Sequence, residues 1–273
     1  MSVILHLSDP HFGTEQPDVA AALIQLAHQQ RPDLAVISGD ITQRARPRQF
    51  AAAKAFIDAL KTPANLVVAG NHDIPLFNVL SRIFWPYANY QWTFGKNLEP
   101  VFESDSLLAI AVKTTRRYRH IHGELSAEQI DRVSRLLVQA KPAQLRLVIA
   151  HHPLWVSRLK DEVNVVRGRD AAIDKWTKAG ADLILGGHIH LPFIIPLRHK
   201  LPEINNSWVV QAGTAVSDRV RWNAGNSVNI IRFHAADRLR HCSVERWDYR
   251  HQQAIFSRVA NEILPLAAID AKI

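Results

Sequence analysis

Short runs of Val, Ile, Leu and Ala alternate along the chain with longer stretches whose apolar residues recur every three or four positions. The short runs predict strands over Val3–Ser8, Leu34–Ser38, Asn65–Ala69, Leu107–Lys113, Leu145–Ala150, Leu183–Gly186, Trp208–Gln211, Val228–Phe233 and Ser243–Trp247. The longer stretches predict helices over Asp18–Gln30, Pro47–Leu60, Ser126–Gln139 and Asp170–Ala179, each opening with an acid, Ser or Pro, as helix starts do. Strand and helix alternate through the first half, which defines an α/β class. The last three strands follow one another with only short loops, so at least one sheet contains antiparallel pairing and the sheets are mixed.

Length and composition narrow this picture only a little. With 273 residues, 47% hydrophobic and 21% charged, the chain fits one globular domain over residues 1–266 with a frayed tail at 267–273. One segment stands apart: residues 74–100 carry Phe77, Phe84, Trp85, Tyr87, Tyr90, Trp92 and Phe94, a density far above the chain's 8% aromatic content. It reads as a packed excursion or cap, or as a wall for a base, an aryl leaving group or a lipid chain. A formal charge of +8 favours anionic partners. The single cysteine, Cys242, excludes an intrachain disulfide and a cysteine-rich zinc site, and it reads as a buried structural thiol in a reducing compartment. The longest apolar runs fall well short of the roughly 18 residues that cross a bilayer. Met1 leads directly into Val3–Leu7 without a basic start or a cleavage site, so a cytoplasmic protein without a transmembrane segment is expected.

The chemistry sits where strands end. The first three strands run into Asp9-Pro10-His11, Gly39-Asp40 and Gly70-Asn71-His72-Asp73. Two later ones deliver His151-His152-Pro153 and Gly186-Gly187-His188-Ile189-His190. Ligands of open α/β sheets gather outside the carboxyl ends of strands, so five strands aim imidazoles and carboxylates at one rim, as a metal site requires. Glycines ahead of these residues let the backbone turn sharply and approach an ion closely. No Gly-x-Ser-x-Gly elbow is present, which disfavours serine catalysis.

This ordered series, from Asp9-x-His11 through Gly39-Asp40, Gly70-Asn71-His72-Asp73 and His151-x-Pro153 to Gly187-His188-x-His190, resembles the calcineurin-like metallophosphoesterase superfamily. Within it the chain looks most like the bacterial class III cyclic-nucleotide phosphodiesterases. The resemblance implies a four-layer αββα fold, in which two mixed β-sheets pack as a sandwich flanked by helices. It implies one metal held by Asp9, His11 and His190, a second held by Asn71, His151 and His188, and Asp40 as a bridge. Mixed imidazole and carboxylate ligands suit Mn, Fe, Zn or Co better than Mg or Ca. Two such ions lower the pKa of a bound water to about 7 and steady an in-line displacement at phosphorus. His72 is expected to protonate the leaving oxygen or stabilise the phosphate, with Asp73 orienting it by a hydrogen bond. His152 reads as an outer support rather than a ligand.

Arg116, Arg117 and His120 follow another strand and are the candidate substrate contacts, with Arg44, Arg46, Arg48, Arg219 and Arg221 as weaker ones. The leading reading is a hydrolase of a small phosphodiester such as a cyclic nucleotide. A nuclease needs a long basic, aromatic-lined track, which makes nucleic acid the less favoured partner. A lipid-phosphate hydrolase would use the Phe84-Trp85 region against acyl chains. A metal-stabilised interaction module would keep the ligands for folding alone, and the intact His72 argues against it.

Overall fold

The computed structural model describes residues 1–197, 206–221, 224–236 and 239–268. Its first sheet begins with β1 (Ser2–Leu7), β2 (Leu34–Ile37) and β3 (Ala64–Val67), which pair in parallel. The helices α1 (Pro17–Gln30) and α2 (Pro47–Ala59) make the crossovers. The same sheet is extended by β10 (Ser227–Ala236), β11 (Leu239–Arg250) and β12 (Ile255–Pro265), all antiparallel, in the order β12-β11-β10-β1-β2-β3. The second sheet contains β4 (Val101–Glu103), β5 (Leu107–Val112), β6 (Leu145–Ala150), β7 (Leu183–Gly186), β8 (Phe193–Pro196) and β9 (Trp208–Gln211), in the order β4-β5-β6-β7-β9-β8. Its crossover helices are α5 (Ala127–Val138) and α6 (Arg169–Lys178). Both sheets are mixed, as expected. The run of late strands divides between them: β9 lies parallel to β7 in one sheet and β10 antiparallel to β1 in the other.

Period-two alternation explains the four layers, because each strand buries both faces. Val3, Leu5 and Leu7 of β1 pack against Leu23 and Leu26 of α1 and Phe50 and Ile57 of α2. Ile4, Leu34 and Val36 face Ala109, Leu147, Ile149 and Leu185 across the gap between the sheets. Ile110 and Val112 meet Ile130 and Val133 of α5 and Trp176 of α6. The result is helix, sheet, sheet, helix. Local signals fix the helix starts: Pro17 and Pro47 occupy the first turns of α1 and α2, and Ser126 caps α5 reciprocally with Gln129.

The aromatic segment 74–100 folds as two short helices, α3 (Val79–Phe84) and α4 (Ala88–Phe94). Part of it is packed and part is not. Tyr87 and Tyr90 are buried, with Tyr90 donating to the Val67 carbonyl at 2.8 Å, whereas Phe77, Phe84, Trp85 and Trp92 are exposed. Strand β12 occupies residues that carried no strand signal, since most of its side chains are exposed and show little alternation. Of the tail at 267–273, residues 269–273 lie outside the described ones. No helix among the described residues is long and apolar enough to cross a membrane.

Candidate metal centre

The carboxyl ends of β1, β2 and β3 in one sheet and of β6 and β7 in the other meet at one edge of the sandwich. Backbone hydrogen bonds pin the loops together: Asp9 N donates to Gly39 O and His11 N to Asp40 O, both at 3.0 Å, and Ala215 N donates to Ser8 O at 2.9 Å. Five of the seven candidate ligands sit in left-handed backbone conformation, with φ of 52° at Asp9, 43° at His11, 48° at Asp40, 71° at His188 and 56° at His190. Non-glycine residues avoid this region because Cβ crowds the carbonyl, and such outliers gather at functional sites.

The side chains converge in two groups. In the first, His11 Nε2 and His190 Nε2 face each other at 3.3 Å, and Asp9 Oδ1 lies 3.8 and 3.4 Å from them. In the second, Asn71 Oδ1 lies 3.2 Å from His151 Nε2 and 3.0 Å from His188 Nδ1. Asp40 stands between: its Oδ1 is 3.3 Å from His151 Nε2 and its Oδ2 is 3.8 Å from His11 Nε2. The outer nitrogens set the tautomers. His151 Nδ1 donates to Ser38 O at 2.9 Å and His190 Nδ1 to Arg219 O at 2.5 Å, which aims each Nε2 lone pair inward.

These donors fit divalent transition-metal ions. The buried Asp9 Oδ1 has no hydrogen-bond partner, and the Nε2 atoms of His11 and His190 face each other beside it, an arrangement that a shared cation would satisfy. Burial pushes His11 and His188 well below the usual imidazole range, which keeps them neutral and able to ligate. Burial opposes ionisation of Asp40, but His151, His72 and His11 outweigh it and hold this carboxyl well below its usual range. Burial also works against a charged His151, yet the Asp40 carboxylate raises it to about 9. Asp40 thus draws positive charge to the point where an ion would sit, and a metal there would displace the proton. Two acids with neutral imidazoles and an amide leave two divalent ions with positive charge to spare for a phosphate.

His72 lies at the rim, its ring edge-on to His11 at 4.9 Å. Its Nδ1 donates to Gln43 O at 3.0 Å. The orienting bond expected from Asp73 is not formed. Asp73 is buried and turns the other way, accepting from the backbone N–H of Ile41, Thr42 and Gly70 at 3.0, 2.8 and 2.8 Å. It clamps the loops after β2 and β3, and burial with the nearby Asp40 charge raises its carboxyl to about 6. His152 falls within 4.8 Å of His151 and His188, but both its nitrogens are engaged, with Thr114 Oγ1 and Ile121 O at 2.7 Å each. It packs behind His188, with rings 4.5 Å apart.

The three expected substrate contacts separate. His120 shares the mouth of the site with His72, Asn71 and Arg44. Arg116 turns to α5, where it donates to Gln129 Oε1 at 2.6 Å, and Arg117 is exposed and donates to Ile83 O at 2.8 Å. Arg219, one of the weaker candidates, comes closer than either: its Nη1 lies 3.2 Å from His72 Nε2 and donates to Gln43 Oε1 at 2.9 Å. It borders a cavity of about 410 Å³ shared with His188, His190 and Arg221. Gln43 and Thr214, whose hydroxyl lies 2.7 Å from His190 Nδ1, carried no sequence signal beyond following a strand end.

Fold and site together define a metallophosphoesterase-type sandwich. The chain belongs to the calcineurin-like phosphoesterase family, whose profile matches residues 2–192. Among curated proteins it is similar to a probable cyclic nucleotide phosphodiesterase of Synechococcus sp., 27% identical over 180 residues that cover 64% of each chain. It is also similar to a cAMP/cGMP dual specificity phosphodiesterase of Mycobacterium tuberculosis, 28% identical over 69% of this chain and 61% of that one. These matches span less than two thirds of the relatives' length. Among solved structures the purple acid phosphatase PPD1 of yellow lupin shares the fold, with a TM-score of 0.71 at 14% identity over 97% of this chain and 53% of that one.

Proposed function

We propose that this chain is a phosphodiesterase that hydrolyses a small diester such as a cyclic nucleotide with the help of two transition-metal ions, Mn, Fe, Zn or Co. The observation that carries this reading is Asp40, whose two carboxylate oxygens face two separate convergent donor groups. The cyclic nucleotide phosphodiesterase names of the two relatives support the substrate class.

When bound, the ions supply Lewis acidity at phosphorus and an activated water. Asp9, His11 and His190 would hold one, Asn71, His151 and His188 the other, and Asp40 both. The chain's own residues do the rest. Ser38 O, Arg219 O and Thr214 fix the tautomers of His151 and His190, so the ligand nitrogens need no reorientation when substrate arrives. Gln43 O holds Nδ1–H of His72, which leaves Nε2 as the atom that can carry a proton to the leaving oxygen. Arg219 Nη1 beside that nitrogen is placed to donate to a phosphate oxygen bound between the two side chains.

The test is hydrolysis of bis-p-nitrophenyl phosphate against p-nitrophenyl phosphate by metal-stripped protein given back Mn, Zn, Fe or Co. Metal-restored turnover preferring the diester, followed by cleavage of cyclic nucleotides, is the expected result. A monoester preference would make the chain a phosphatase. No turnover despite measured metal binding would leave an interaction module.

A further inference from the structure

The apolar half of the aromatic excursion is left without a partner. Helix α3 has no buried residue, and Phe77, Leu80, Phe84 and Trp85 are 78, 67, 63 and 66% exposed. Val79 and Ile83 on the same short segment are exposed as well. An exposed cluster of this kind on a soluble fold marks an interaction site or an aggregation liability.

Charge distinguishes between partners. Arg44 and Arg46 line the groove beside Phe77 and Trp85, Arg48 lies beside Trp92, Arg82 stands on α3 itself, and residues 117–119 bond to the same segment. These parts touch one another: Arg117 donates to Ile83 O at 2.8 Å, Arg82 to Arg119 O at 2.6 Å, and the Arg44 guanidinium covers the Phe77 ring at 5.4 Å. Arg116 and Arg119 meet Glu124, and Lys54 meets Asp58. Arg44, Arg46, Arg48, Arg82, Lys96 and Arg117 have no carboxylate partner among the described residues.

We propose that this face seats on an anionic phospholipid bilayer, with Leu80, Phe84 and Trp85 entering the acyl boundary and the unpaired arginines resting on headgroup phosphates. An apolar tip ringed by basic residues is the pattern that binds such surfaces, each basic residue contributing about 1 kcal/mol, or roughly fivefold in affinity. The side chains project from a six-residue helix instead of lining a deep groove, which suits a fluid surface better than a folded acidic partner. Arg44 and Leu76 line both the groove beside Phe77 and Trp85 and the mouth beside His72 and Asn71. Docking therefore brings the metal centre's entrance to the headgroup layer. The proposal does not depend on the phosphodiesterase reading, because vesicle binding is measured without turnover.

The experiment is cosedimentation of the full chain with vesicles of mixed phosphatidylglycerol and phosphatidylcholine, and with phosphatidylcholine alone, at low and high salt. Salt-sensitive binding to the anionic vesicles alone is expected, with a loss of tenfold or more in the Leu80→Glu/Phe84→Glu double variant. A far-UV circular dichroism spectrum and a Tm near those of the parent show that this variant is folded. Arg46→Glu/Arg48→Glu gives a second measure that leaves the apolar tip intact and should also weaken binding at least tenfold. Equal binding to neutral vesicles, no binding at low salt, or undiminished binding by both variants would overturn the proposal. So would a parent dimer that the Leu80→Glu/Phe84→Glu variant dissociates while vesicles stay unbound, which would assign the face to a second copy of the chain.

Discussion

Gly70→Ala is the smallest change that tests whether the spacing of the strand-end loops builds the centre. A Cβ at residue 70 would lie 2.1 Å from Asp40 N, 2.2 Å from Asp40 Oδ1 and 2.8 Å from Asp40 Cα. Two of these atoms are backbone, so no side-chain rotation relieves the contact. Ordinary contact for a Cβ begins near 3.4 Å, so one loop must move by more than 1 Å. The φ of Gly70 is −93°, which alanine adopts freely, and the whole effect is therefore steric. Overpacking of this kind costs about 1–3 kcal/mol of stability. A displacement near 1 Å of the acid that faces both donor groups is expected to lower turnover on the order of 100-fold. The assay is threefold: metal content after dialysis, kcat on bis-p-nitrophenyl phosphate, and Tm. Gly225→Ala is the control, since an added Cβ there meets nothing within 4 Å. Metal content and kcat within twofold of the parent in Gly70→Ala would refute the reasoning, because Asp40 would then be free to move without consequence.

Other substitutions separate the roles. His188→Ala should lower metal content and activity together, whereas His72→Ala should keep its metal and lose mainly kcat, most for poor leaving groups; equal metal loss in both would undo these assignments. Arg219→Ala should raise KM and lower kcat with metal retained, and Arg219→Lys should restore less than half of the loss if the guanidinium fork matters, as steady-state kinetics would show. Trp176→Ala removes a fully buried ring whose Nε1 donates to Ile130 O at 3.1 Å, and denaturant unfolding should register about 3–5 kcal/mol of lost stability. Burial pushes His6 down to about 3, below its unfolded value of about 6.5. The unfolded chain therefore binds the extra proton, so the His6 contribution is fully present above pH 6.5 and is lost as pH falls towards 3. His6→Gln should flatten the loss of stability between those limits by about 1 kcal/mol per pH unit, and an unchanged slope in urea titrations would count against it.

What the sequence made legible was local. Five of the seven candidate ligands stand at the end of an apolar run, three of them after a glycine, so strand-end position and residue type could be read together at Asp9, Asp40, Asn71, His151 and His188. The partition of late strands between sheets could not be read this way. The alternation that marks β9 and β10 is the same whether they pair with each other or, as they do, with β7 and β1, partners far away in sequence. Substrate contacts were the least legible. An arginine's reach is long, and sequence position alone does not say that Arg116 is held by Gln129 while Arg219 crosses to His72. The role expected for Asp73 failed for a related reason: adjacency in sequence put it beside His72, but the turn at residues 71–73 sends the two side chains in opposite directions.

The backbone of the centre carries information that no residue pattern holds. Ten non-glycine residues among those described have positive φ, and half of them are candidate ligands. Each such residue costs roughly 1–2 kcal/mol relative to ordinary backbone, so the five together set a strain of about 5–10 kcal/mol against the fold. The network of loop-to-loop bonds described above, with Asp73 bonded to three backbone N–H groups and to the Thr42 hydroxyl, works against that strain. If this network is sufficient, the loops hold the centre in shape without the ions. Metal removal should accordingly lower Tm without unfolding the chain, and scanning calorimetry of stripped and reloaded protein distinguishes this from a fold that needs its metal. A stripped protein with no cooperative transition would show that the ions, not the loops, hold these residues in their left-handed conformations.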